Sequence, residues 1–228
     1  MNTKEIFKRP VVALIFLLTA IAFSSCKKND IDDSGQFNIK VVNASATAGP
    51  QTFTLAGNVL ISSGLNYMDA SAYVNVPSGK NMITEFKNAG TNSVYASGSI
   101  YTDNGVNFTV YLAGSGSNAR VKNFQDDLGS PNNGLVKIKF IHLSDKAPNI
   151  VTIKNTNGDE YSSSLVRDLA TGYKFVSPGN LSVQVVGLTS KNSVGTFNFT
   201  DLIAGKIYSL YLTDDANGNV VMNKLLHN

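Results

Sequence analysis

The chain has 228 residues, with 19 Lys plus Arg against 16 Asp plus Glu, and 43% of its residues are hydrophobic. A formal charge of +3, with no basic stripe, excludes a nucleic-acid-binding surface. A single cysteine excludes an internal disulfide, and two histidines with no spare cysteine argue against a zinc site, so neither cofactor nor metal is expected.

The N-terminus carries Lys4, Lys8 and Arg9, followed by an apolar run from Val11 to Phe23 broken only by Thr19. As a helix that run reaches roughly 20 Å, short of a hydrocarbon core of about 30 Å. A basic start, a short apolar centre and the small residues Ser24 and Ser25 describe a secretory signal peptide over residues 1–25. With Cys26 next, the arrangement resembles the lipobox of bacterial lipoproteins, although Phe23 stands where that motif usually has Leu. The resemblance implies cleavage before Cys26, lipid on its thiol and anchoring in the outer membrane. Without the leader, 16 basic residues face 15 acidic ones, so the sequence pI of 8.8 partly reflects the removed segment.

Residues 26–36 are charged and lack apolar periodicity, which predicts a flexible tether. Asp30, Asp32 and Asp33 resemble the export signal of Bacteroidota surface lipoproteins, and imply a domain facing the cell surface.

From Phe37 onward the chain alternates. "FNIKVV" sets Phe37, Ile39 and Val41 on one face, and "FTVYL" does the same with Phe108, Val110 and Leu112. Period two with one polar face predicts half-buried antiparallel strands. A shift of one hundred residues brings the chain onto itself. Tyr73 meets Tyr173, Val76 meets Val176, Gly79 meets Gly179, and Asn92–Val94 meets Asn192–Val194. Gly105, Tyr111, Leu112 and Val121 likewise meet Gly205, Tyr211, Leu212 and Val221. Chance gives roughly three identities over such a span. The mature chain therefore reads as two copies of one module, residues 37–125 and 135–228, joined by a polar linker over 126–134.

In the second copy "VKIKFI" places Val136, Ile138 and Phe140 inward and Lys137 and Lys139 outward. "NTNGDE" at 155–160 and "DANGNV" at 215–220 carry the Asn-Gly hairpin signal. "SSSLVRDLATG" at 162–172 is the best candidate for a helical turn. About seven strands per copy predict two tandem antiparallel β-sandwiches of immunoglobulin-like type.

The stretch "VKIKFIHLSDKAPNIVTIKNTNG" resembles the opening of the domain-of-unknown-function family numbered 4397. His142, Ser144, Asp145, Ala147 and Pro148 match its His-Ala-Ser-Pro-Asp-Ala-Pro motif, while Leu143 and Lys146 depart. "YKFVSPGNLSVQV" and "LIAGKIYSLYLTD" extend the similarity to about residue 215. The first copy is looser, keeping Ser45 and Pro50 with Asn43 in place of His. The resemblance implies a secreted or surface β domain, often in tandem, with no established activity.

His142, Ser144 and Asp145 hold the residue types of a hydrolase triad, but residues 142 and 144 point one way on a strand and 145 the other. They read instead as a strand end that starts a turn. "DDANGN" at 214–219 has alternating oxygen ligands, but Val220 stands where a calcium loop needs Gly, so a hairpin is expected. "GSGSNAR" at 114–120 opens no helix and reads as a loop. Tyr111 and Tyr211 sit out of phase with the core set and face away from it. Together with His142 and Asp145 they are the candidate binding residues. The expected function is that of a non-catalytic, lipid-anchored envelope protein binding a glycan or protein. An architectural spacer is the alternative, and a hydrolase comes last.

Overall fold

The computed structural model describes residues 34–131 and 134–228. The leader, Cys26 and the tether as far as residue 33 lie outside the described residues. Eight strands build the first copy: β1 (Gln36–Asn43), β2 (Gln51–Leu55), β3 (Asn58–Leu65), β4 (Val74–Pro77), β5 (Met82–Asn88), β6 (Val94–Ile100), β7 (Asn107–Ala113) and β8 (Arg120–Asp126). The second repeats them: β9 (Val136–His142), β10 (Ile150–Asn155), β11 (Glu160–Val166), β12 (Lys174–Val176), β13 (Gly179–Gly187), β14 (Ser193–Leu202), β15 (Ile207–Asp214) and β16 (Val220–Leu226). The chain is all-β, two tandem β-sandwiches of immunoglobulin-like layout. One sheet of each copy runs β4-β1-β7-β8 or β12-β9-β15-β16, and the other runs β3-β2-β5-β6 or β11-β10-β13-β14.

Alternation places the cores. Phe37, Ile39 and Val41 of β1 meet Phe53, Phe86 and Val110 inside the first sandwich, with Phe53 and Phe86 edge to face at 5.0 Å. Ile138 and Phe140 of β9 meet Val151, Val183 and Leu210 inside the second. Each copy has eight strands rather than about seven, and the pairing is not wholly antiparallel. β1 runs parallel to β7, and β9 parallel to β15. The intervening strands carry the chain across to the other sheet and back, which makes room for that pairing.

The outward faces of β1, β7, β9 and β15 are also buried. Val42, Ala44, Tyr111 and Ala113 of one copy pack with Ile141, Leu143, Tyr211 and Leu225 of the other in a third apolar cluster. The copies thus stack four sheets deep, and they belong to one compact unit. Lys137 and Lys139 do point away from their sandwich core, but they are not solvated. They are 4% and 2% exposed, because Lys137 is covered by Asp127 and Gly129 of the linker and by the Tyr173 ring, and Lys139 meets Gln125 and Asp126 of the other copy.

The expected hairpins turn at Gly158 and Gly218, both with positive φ. The stretch 162–172 is not helical; it forms most of β11 and then a turn in which Asp168 takes φ 68°. A 3-10 turn lies elsewhere, at Gly116–Asn118 within "GSGSNAR". The linker also starts later than expected. Asp126 ends β8 and its carboxylate is fully buried.

Candidate functional site

The two copies lie with β1 and β9 pointing the same way, so their seam has two ends. The chain enters at one end, where the Gly35 and Gln36 amides donate to Ser78 Oγ and Asn104 Oδ1. At this entry end a buried polar cluster joins the copies. The Asp126 carboxylate accepts from Lys139 Nζ at 2.5 Å, Thr109 Oγ1 at 2.6 Å and Tyr73 OH at 2.8 Å. His227 lies beyond, with Nδ1 2.8 Å from the Tyr73 hydroxyl and Nε2 2.8 Å from Ser209 Oγ. Lys40 Nζ donates to the Leu226 carbonyl and sits 4.7 Å over the Tyr73 ring, while Lys139 sits over Tyr173. Burial lowers the affinity of Lys40 and Lys139 for their protons, with Asp126 opposing it. Burial pulls His227 down to about 4, which leaves its ring neutral at pH 7. Two lysines and one carboxylate are therefore held away from water by hydrogen bonds from both copies, a costly arrangement unless every partner stays in place.

The far end carries the loops, and there the seam opens into a cleft of about 330 Å³. Residues 44–47 and 114–118 of the first copy form one wall. Asp145, Lys146 and residues 213–218 of the second form the other. Each wall is fixed by hydrogen bonds within its own copy. Asn43 Oδ1 accepts from the Ser45 amide, and Ser45 Oγ donates to the Gly114 carbonyl. One hundred residues on, Ser144 Oγ donates to Asp214 and accepts from the Ala147 amide. Asp214 Oδ2 also accepts from the Asp145 amide. The Asp215 carboxylate closes the hairpin, accepting from the Asn217 and Asn219 amides and from Asn219 Nδ2. Those bonds hold its pKa below the usual carboxylate range, Asn219 contributing most.

A clamp crosses beside the cleft. Arg120 Nε donates to Asp168 Oδ1 at 2.8 Å, Nη1 pairs with Asp145 at 2.9 Å, and Nη2 donates to the Leu143 carbonyl. Thr213 Oγ1 donates to the Ala44 carbonyl, again between copies. The cleft is complete only when both copies are present.

The residues singled out by sequence are not gathered into one surface site. Tyr111 and Tyr211 face away from their sandwich cores, as the alternation predicts, but they are 0% and 2% exposed. Their rings meet at 5.4 Å across the seam, so they are interface residues and not a glycan platform. Of the nine tyrosines only Tyr101 is exposed. His142 is fully buried, with Nε2 2.9 Å from the Pro148 carbonyl, and burial lowers its pKa. Its ring pins the loop after β9, as Asn43 pins the matching loop by donating to the Gly49 and Leu65 carbonyls. Ser144 turns to Asp214 and not to His142, so the three side chains make no nucleophile–base–acid relay. Asp145 alone of the four reaches the cleft. Arg120, Asp168 and Asp126 were not foreseen. The one signal for Arg120 is a cation directly after a glycine-rich turn, and Asp126 reads as linker.

These features define a class: a tandem β-sandwich protein whose copies are fused along buried sheet faces, with a polar cleft at one end of the seam. The chain belongs to the family described as Domain of unknown function (DUF4397), whose model matches residues 37–153. The match takes in the first copy, where the motif is looser, and reaches into β10 of the second. No curated protein matches. Among solved structures the chain is similar to the Bacillus anthracis TIE protein at 10% identity and a TM-score of 0.26, over 84% of this chain and 44% of that one. It thus spans under half of that relative's length. It is also similar to a protein from Bacteroides uniformis described as a candidate for cell adhesion, at 11% identity and a TM-score of 0.27, over 86% of this chain and 99% of that one. A third is CBMbc (family CBM26) from Eubacterium rectale Amy13K, solved in complex with maltoheptaose, at 8% identity and a TM-score of 0.28, over 83% and 97%. At TM-scores this low, none of the three lends the chain a ligand or a role.

Proposed function

We propose that the protein is a non-catalytic binding module of the cell envelope, anchored by lipid on Cys26 in the outer membrane and facing the cell surface, with an extracellular glycan or protein as ligand. The observation that supports this reading is the polarity of the seam. The chain enters at one end, where a wide, open cleft lined by Gly105–Asn107 and Ala170–Tyr173 flanks the seam, and the more enclosed cleft built by both copies lies at the other. β1 alone spans about 25 Å between them. Anchoring through the residues before Gly35 attaches the sandwiches at the end of the seam opposite this more enclosed cleft. The side chains of His142 and Ser144 fasten their own loop and that of Asp145 pairs with Arg120 of the other copy, which supports a binding role over a hydrolytic one.

Two measurements test it. In a Cys26→Ser variant the protein leaves the membrane fraction, and surface protease treatment of intact cells removes the wild-type domain. Residues 27–228, which keep every described strand, are applied to a broad glycan array. Reproducible binding to one sugar class supports recognition of a glycan. A blank array with specific crosslinks on intact cells supports a protein ligand. A blank array with no crosslinks leaves the architectural role. Retention of Cys26→Ser in the membrane sinks the anchor.

A further inference from the structure

We infer that the far-end cleft takes the end of a neutral, polyhydroxylated chain, an uncharged glycan, and neither an anion nor a metal ion. This rests on reading the protein as a surface binding module. The lining carries three carboxylates, Asp145, Asp214 and Asp215, against one ammonium, Lys146. A carboxylate or sulfate entering between them meets net like charge. A cation fares no better, because the carboxylates already have partners within the protein. Asp214 holds Ser144 Oγ and the Asp145 amide, Asp215 holds two amides and Asn219, and Asp145 Oδ1 holds Arg120. Binding a metal would mean breaking the turns that shape the wall.

Apart from the single ammonium of Lys146, what remains open to a ligand is uncharged. Thr47 and Ser115 present hydroxyls, and Asn118 and Asn217 present amides, all four on exposed positions lining the cleft. Each side chain both donates and accepts, which is the pattern that vicinal sugar hydroxyls match. The volume lies at the small end of ligand sites, enough for a chain end and not for a folded partner. No aromatic residue lines the cleft, so recognition runs through hydrogen bonds and shape.

The test uses residues 27–228 with three probes: neutral hexose and N-acetylhexosamine oligosaccharides, uronate-containing oligosaccharides, and calcium chloride. Neutral oligosaccharides bind, and the double variant Asn118→Ala/Asn217→Ala binds about tenfold more weakly with an unchanged melting temperature. Preference for uronate chains, lost in Lys146→Gln, overturns the inference in favour of an anion site. A calcium-dependent rise in melting temperature overturns it in favour of a metal. Neutral binding that the double variant leaves intact places the ligand elsewhere and also overturns it. If no oligosaccharide binds, the inference fails, while the surface-binding reading is judged separately by crosslinking on intact cells.

Discussion

At the scale of single residues, His227 and Arg120 show how the seam is held. The folded pKa of His227 is about 4 and its ordinary value is 6.5. Below pH 6.5 the unfolded chain takes up a proton that the folded chain refuses. The stability due to the neutral ring is complete above 6.5 and is lost as pH falls through 4. The loss amounts to about 3 kcal/mol if the site stays closed. Its neighbours Asp126, Lys139, Lys40 and Tyr73 all face the ring, so His227→Gln is the clean probe. The urea midpoint of the wild type drops between pH 6.5 and 4, and that of the variant drops distinctly less. Equal slopes would show that His227 does not carry the effect. Arg120 acts through its shape. Its fork reaches Asp168, Asp145 and a carbonyl at once, a geometry that lysine lacks. Arg120→Lys therefore costs about 2 kcal/mol in equilibrium unfolding, nearly as much as Arg120→Ala. Full rescue by lysine would reduce the clamp to a point charge. Beyond the cation after a glycine-rich turn, none of this is legible in the sequence, because a buried ion network depends on which faces meet, and side-chain identity alone does not say.

At the scale of elements, the strands and hairpins were legible because they follow from period two and from Asn-Gly turns. What misled was the meaning of the second face. "VKIKFI" alternates as a half-exposed strand does, and Lys137 and Lys139 fill its polar positions. Yet every residue of β9 is buried, since a lysine can be covered when a carboxylate or carbonyl waits for its ammonium. In the same way β11 looks helical at 162–172, because Leu165 and Leu169 fall four apart, although Leu169 is in fact exposed beyond the strand. Loop shape is set by glycine at one decisive place. Gly114 has φ 71°, and a Cβ there would lie 2.2 Å from the Asn118 carbonyl oxygen. Gly114→Ala therefore reshapes the 3-10 turn and moves one wall of the cleft. We expect a loss of about 2 kcal/mol in stability, read by thermal melting, together with loss of ligand binding. Wild-type melting would show that the turn is free to relax.

At the scale of the whole molecule, the duplication was visible as a hundred-residue shift, but the fusion of the copies was not. Two modules on a linker and two modules sharing a core have the same sequence pattern. The difference lies in Tyr111 and Tyr211, whose outward positions look like a surface until they are seen to face each other. Burying each ring contributes about 2–3 kcal/mol, and the aliphatic residues around them add more. The protein should therefore unfold in one calorimetric transition. The second copy alone, residues 135–228, exposes Ile141, Leu143 and Tyr211, and it melts well below the intact chain or associates. Two resolved transitions in the intact chain would show the copies to be independent.

The parallel pairing of β1 with β7 bears on mechanics. The chain leaves the fold from the start of β1, so a pull from that end runs along the strand axis. The bonds joining β1 to β4 on one side and to β7 on the other are then loaded together in shear and not peeled one by one. A protein held at that end while its cleft grips something under flow would resist extraction at the strand that carries the load. Single-molecule pulling from the N-terminus would read this as one high rupture force.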